Sequence, residues 1–167
     1  DSLIKTFTEN QLDTLDKIQG NKKILIKGPA GTGKTLLAIE AARRNVAKKM
    51  RTLFLCKNKF IHEHIKSELL PELGEYLTLF TVDKFLINEI GVNSLKMSQH
   101  DQSFFQKLPD QFLEKYVNDE INLENLSYDC LIVDEAQILL TEDYEEIFDL
   151  IVLGGYEKGH YIFFGDF

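Results

Sequence analysis

Cysteine is scarce in this 167-residue chain, which holds two. Cys56 and Cys130 both fall inside apolar, strand-like runs, where they read as buried free thiols of a reducing cytoplasm. No apolar run approaches the roughly 18 residues needed to span a bilayer, and no signal-peptide pattern opens the chain. Metal-ligand spacing is missing too: His62 and His64 stand two apart on a predicted helix and so face different ways. There is no internal repeat and no low-complexity tract. A positive balance of charge is also lacking, since the net value is −8. That average conceals a gradient. Residues 1–66 hold 14 Lys and Arg against 6 Asp and Glu, whereas residues 67–167 hold 5 against 21. A basic half can meet a polyanion while an acidic half keeps the molecule soluble. One domain with a real core, in the cytoplasm, is expected at this length.

What is present centres on one stretch. Residues 24–27 read as a buried strand and run into Gly28, Pro29, Ala30, Gly31, Thr32, Gly33, Lys34 and Thr35, the pattern G-x-x-x-x-G-K-[ST]. Residues 36–47 follow with helical spacing. Strand, glycine-rich loop and helix are the context in which a phosphate loop works. The glycines let successive N–H groups point inward at one polyphosphate, and the helix start adds its partial positive charge. Lys34 offers a point charge to the β- and γ-phosphates of ATP, and the Thr35 hydroxyl can ligate Mg²⁺.

The remaining chain alternates. Thr8 and Gln11 have capping-box spacing at the head of a helix ending near Gly20. A second strand is predicted over 52–56. Asn58 can cap a helix whose apolar residues Ile61, Ile65, Leu69 and Leu70 recur at helical spacing, and Pro71 stops it. A third strand follows over 77–80, and Thr81 caps a helix reaching Gly91. The alternation lapses over 92–127, which reads as a short, mostly helical insertion on the rim of the sheet. After Pro109 its helix carries Phe112, Leu113, Tyr116 and Val117 as an apolar stripe. A strand over 128–135, a helix over 144–153 closed by Gly154-Gly155, and a last strand over 161–164 complete the pattern. This order predicts an α/β fold, a parallel sheet flanked by helices.

Leu131-Ile-Val-Asp-Glu135 places two carboxylates at the carboxyl end of an apolar strand, the edge where open parallel sheets bind ligands. Asp134 would hold Mg²⁺. Glu135 would orient and deprotonate the water attacking the γ-phosphate.

Asp134-Glu135-Ala136-Gln137, followed by a strand ending Gly165-Asp166, resembles motifs II and III of superfamily 1 helicases, the UvrD/Rep-like group. The resemblance implies a P-loop NTPase of RecA-like fold, residues 1–167 forming a single ATP-binding domain. It also implies ATP hydrolysis coupled to unwinding or translocation. Gln11 resembles the glutamine that recognises adenine, although capping the first helix is an equal reading. Lys57, Asn58 and Lys59 resemble the segment lining the single-strand path, and Thr81 the threonine that meets the nucleic-acid backbone. Gln137 would couple nucleotide state to strand binding, with Asp166 beside the nucleotide. The implied partners are single-stranded nucleic acid, with DNA the expected form, and a second RecA-like domain absent from this chain; no membrane partner is expected. Cys56 departs from the pattern, standing where many relatives carry a base-stacking aromatic. The insertion over 92–127 is shorter than the usual 1B subdomain. Because later motifs are missing, a longer parent protein is expected, and the chain alone should hydrolyse ATP slowly. The rival reading is an ATP-driven switch or signalling ATPase without unwinding activity, which uses the same loop and the same Asp-Glu pair.

Overall fold

The computed structural model describes residues 22–27, 33–91 and 102–166. In chain order the elements are β1 (Lys23–Lys27), α1 (Lys34–Ala47), β2 (Thr52–Cys56), α2 (Lys59–Leu69), β3 (Leu77–Thr81) and α3 (Val82–Ile90). Then come α4 (Gln102–Gln106), α5 (Leu108–Val117), β4 (Cys130–Asp134), α6 (Glu142–Ile151), α7 (Gly155–Lys158) and β5 (His160–Gly165). The five strands form one parallel sheet in the order β1-β5-β4-β2-β3. This is the expected α/β architecture, consistent with a RecA-like P-loop domain.

Side chains alternate across each strand, so the two faces of the sheet build two cores. On one face Phe54, Cys56, Ile132, Ile162 and Phe164 meet α1 and α2 through Leu37, Ala38, Ala41, Ile65 and Leu69. On the other, Leu53, Leu55, Leu131, Val133, Tyr161 and Phe163 meet α3, α5 and α6. The chain moves outward from β1 to β2 to β3 with its helices on the first face, then returns through β4 to β5 with helices on the second. Parallel crossovers of one hand produce this double winding. It brings every loop that follows a strand to the same carboxyl edge.

Local chemistry sets the helix starts. Asn58 Oδ1 accepts from the N–H groups of Phe60 at 2.7 Å and Ile61 at 3.3 Å, which fixes the first turn of α2. Thr81 Oγ1 accepts from Lys84 N–H at 3.3 Å and does the same for α3, which Gly91 ends in the left-handed region at φ 81°.

Five expectations need correction. β1 is an edge strand paired only with β5 among the described residues, so Leu25 is 44% exposed rather than buried. Leu70 leaves the apolar face of α2 and is exposed, because Leu70-Pro71-Glu72 tightens into a 3₁₀ turn. In α5 Phe112 is buried but Val117, at the last turn, projects into solvent. Finally, α6 stops at Ile151, because Val152 turns extended and bridges Tyr128 beside β4. α5 also enters the core rather than lying on the periphery: Leu108 and Phe112 are fully buried in the cluster shared with α3 and α6. The expected helix over Thr8–Gly20 lies outside the described residues.

Candidate functional site

Gly33 stands at φ 86°, a left-handed value that suits glycine, and turns the chain directly into α1. Lys34 and Thr35 therefore occupy the helix's first turn, at the carboxyl edge of the sheet. From across the sheet, β4 ends at Asp134 on the same edge. The Thr35 hydroxyl donates to Asp134 Oδ2 at 3.3 Å, joining residues 99 positions apart. Lys34 Nζ lies 4.0 Å from Glu135 Oε1. Gln137 then ties the edge together: its Nε2 donates to Glu135 Oε2 at 2.7 Å, and its Oε1 accepts from the Asp166 N–H at 3.2 Å. Lys34, Thr35, Asp134, Glu135, Gln137 and Asp166 thus form one connected cluster.

Three features give the cluster its chemical character. The Lys34 ammonium is buried and has no hydrogen-bond partner among the described residues, an arrangement that suits an anionic ligand. Burial pushes the Asp134 carboxyl above its usual range. The Glu135 N–H, which donates to Asp134 Oδ1 at 3.0 Å, opposes that shift; the Glu135 charge adds to it, and Thr35 and Lys34 oppose it. Glu135 itself sits in the left-handed region at φ 55°, uncommon for a non-glycine residue and clustered at functional sites. The same Asp134 charge, after burial, helps push the neighbouring Cys56 thiol up to about 12. Among the described residues no group of three or more His, Cys, Asp or Glu could hold a metal alone. Thr35 and Asp134 bring a hydroxyl and a carboxylate together at this edge, and magnesium is commonly held by one or two protein oxygens completed by phosphate and water.

The family model described as Type III restriction enzyme, res subunit (ResIII) matches residues 3–153. The chain belongs to the ResIII family. A ResIII domain of this kind is the N-terminal ATPase domain of a helicase of superfamily 1 or 2, and the chain is accordingly a helicase-like ATPase domain. No curated protein matches it.

Within the ResIII domain, Gln11, Gly28, Pro29, Ala30, Gly31 and Thr32 lie outside the described residues. The strand-path candidates gather at a second place on the same edge. Lys57, Lys59 and Thr81 line a cleft of about 560 Å³ between α2 and α3. Asn58 lies between the two lysines and caps α2. Lys66 and Lys84, not anticipated from the motifs, line the cleft as well, together with Phe80 and Ile87. Lys66 was reachable from the sequence, because 59, 62, 63 and 66 share one helical face. Lys84 was not. It belongs to the acidic half of the chain and reaches the cleft only because β3 pairs alongside β2. Asp83 also lines this cleft, and its Oδ1 lies 3.7 Å from Lys57 Nζ. Among the described residues no helix is long and apolar enough to cross a membrane.

Proposed function

We propose that this ResIII domain is the ATP-binding and ATP-hydrolysing motor of a superfamily 1 helicase or single-strand translocase of the UvrD/Rep-like group. The observation that carries the reading is the convergence of Lys34 and Thr35 on Asp134 and Glu135 from two strands separated by β5. Lys34, with the loop of Gly28, Pro29, Ala30, Gly31, Thr32 and Gly33, grips the polyphosphate. Thr35 and Asp134 would hold magnesium, which would neutralise negative charge on the bound polyphosphate. Glu135 orients and deprotonates the attacking water, and Gln137 holds its carboxylate in place. Gln11 reads adenine, and Asp166 lies beside the nucleotide. Gln137, as the fourth residue of the run Asp134-Glu135-Ala136-Gln137, supports superfamily 1. Lys57, Asn58, Lys59 and Thr81 lie along the path of a single strand, DNA in the first instance. Residues 1–167 form one RecA-like domain, and a second such domain supplies the cationic residue that completes the site. Without it, hydrolysis is slower by roughly 10³–10⁵.

Nucleotide binding tests this. Fluorescent ATP should bind in a magnesium-dependent way to the wild type. Lys34→Ala should lose binding, and Glu135→Gln should bind while losing the slow single-turnover hydrolysis. Binding that is unaffected by Lys34→Ala, or hydrolysis that survives Glu135→Gln, overturns the assignment.

A further inference from the structure

A second cleft of about 560 Å³ opens between the starts of α3 and α6 and the helices of the insertion. Much of its lining is apolar: Phe105 from α4, Pro109 from α5, Ile138 from the turn after β4, and the ring of Tyr144 from α6. Ile138 is 51% exposed, although the next residue, Leu139, is buried in the core. The core takes one of these two side chains and leaves the other to the cleft. The turn that Ile138 ends, Ala136–Ile138, also carries Gln137, whose Nε2 donates to Glu135. The cleft therefore shares this turn with the nucleotide cluster.

Its charge is opposite in sign to that of the lysine cleft. Asp83 and Asp143 line it. Burial, and then the charges of these two carboxylates, push the Tyr144 phenol up, so both lie close to that hydroxyl. Lys57 is the cation lining the cleft, and its Nζ lies 3.7 Å from Asp83 Oδ1. That buried oxygen has no hydrogen-bond partner among the described residues. Asp143 is exposed and shares the first turn of α6 with Glu142 and Glu145. Such surroundings repel a phosphate backbone. They suit a cationic side chain, and arginine best of all, since its planar fork pairs with carboxylates and stacks on a tyrosine ring. Arginines seated in pockets are among the few residues that dominate the energy of protein interfaces.

We propose that this cleft docks a segment of a partner protein in which an arginine stands next to a large apolar residue. The arginine meets Asp83 and Asp143, and the apolar residue covers Ile138. This goes beyond the nucleotide reading and does not rest on it.

Fluorescence anisotropy at low salt, with a labelled octapeptide of alternating leucine and arginine, tests the assignment on the 167-residue chain. The wild type should bind this peptide and not its leucine–glutamate counterpart. Ile138→Ala and Asp143→Asn should each weaken binding by about 5- to 30-fold. Glu75→Gln removes an exposed carboxylate just before β3 and should change nothing. If Glu75→Gln weakens binding as much as Asp143→Asn, the attraction is only the diffuse pull of the acidic half, and the docking site is wrong. No binding, or binding that neither cleft variant weakens, overturns it as well. Two other occupants would also replace it. A labelled oligothymidylate that loses affinity on Ile138→Ala would give the cleft to nucleic acid, and a dimer in sedimentation that Ile138→Asp dissolves would give it to a second copy. Ile138 and Asp143 are both exposed, so their variants should keep the wild-type thermal midpoint, which separates lost docking from lost folding.

Discussion

Replacing Lys34 by methionine tests the nucleotide site from two directions at once. The Lys34 side chain is 6% exposed, and its ammonium has no hydrogen-bond partner among the described residues. Keeping such a group from water costs about 1–3 kcal/mol. Its attraction to Glu135, 4.0 Å away, offsets part of this. Two charges at that distance in an effective dielectric of about 20 gain roughly 4 kcal/mol before screening. The Glu135 side chain is 33% exposed, however. Partly solvated pairs of this kind retain about 1 kcal/mol or less. Methionine keeps the unbranched stem and removes the charge. The unliganded protein should therefore be more stable by between about 0 and 2 kcal/mol. At roughly 2–4 °C per kcal/mol for a domain of this size, the midpoint should rise by up to about 8 °C. The ligand response should run the other way. The wild type gains about 2.7 kcal/mol when Mg·ATP is present at 100 times its dissociation constant, and the variant gains nothing. Thermal or urea denaturation with and without Mg·ATP reads both effects. An unliganded variant less stable by more than about 1 kcal/mol would show that the ammonium already has a strong partner. A retained ATP shift would show that Lys34 does not grip the triphosphate.

Three further outcomes follow from other parts of the molecule. Asp83→Asn releases Lys57 from its pair at 3.7 Å and removes a negative charge from the lysine cleft. Single-strand binding should tighten by about 2- to 5-fold at low salt, and weaker binding in anisotropy would contradict the strand path. Burial pushes the Cys130 and Cys56 thiols up to about 12, Asn45 opposing the shift at Cys130 and the Asp134 charge adding to it at Cys56. The unfolded chain therefore releases these protons first: their contribution is complete below about pH 9 and is lost as pH rises toward 12. Each thiol should add a slope of up to about 1.4 kcal/mol per pH unit over that window. Urea unfolding at pH 8 to 11 checks this, and Cys130→Ala should flatten the slope; an identical slope in the variant refutes it. At Gly159 an added Cβ would lie 2.6 Å from the Gly155 carbonyl oxygen and 2.8 Å from Val152. Gly159→Ala should cost about 1–3 kcal/mol by overpacking, measured by urea denaturation, and a neutral result would mean that the α7–β5 junction yields easily.

Local features of this chain were legible because their causes are local. Asn58 and Thr81 cap the helices they precede, since a short oxygen acceptor needs only the next two or three N–H groups. Gly33 and Gly91 take the left-handed conformations that a phosphate-loop helix start and a helix stop require. Periodicity was less complete a guide. Ile65 and Leu69 are buried as their spacing requires, but Leu70 is not, because the chain tightens into a 3₁₀ turn there. Val152 left its helix to pair with Tyr128, a residue 24 positions earlier, and no window along the chain contains that competitor. The conformation of Glu135 was equally hidden: nothing in a glutamate after an apolar strand foretells φ 55°.

The sequence by itself determined which groups this protein has to work with. It holds a glycine loop ending in Lys34-Thr35, a carboxylate pair at a strand's end, capped helices between parallel strands, and a basic first half. Only the tertiary structure decided which of these groups meet. Placing β5 between β1 and β4 sets the span across which Thr35 reaches Asp134 and Lys34 faces Glu135, and it brings Asp166 under Gln137. Pairing β3 beside β2 carries Lys84 out of the acidic half to the cleft that Lys57 and Lys59 line. Strand order is fixed by the burial of two apolar faces at once and by the hand of each crossover. Those are properties of the whole sheet, and no single stretch of residues records them.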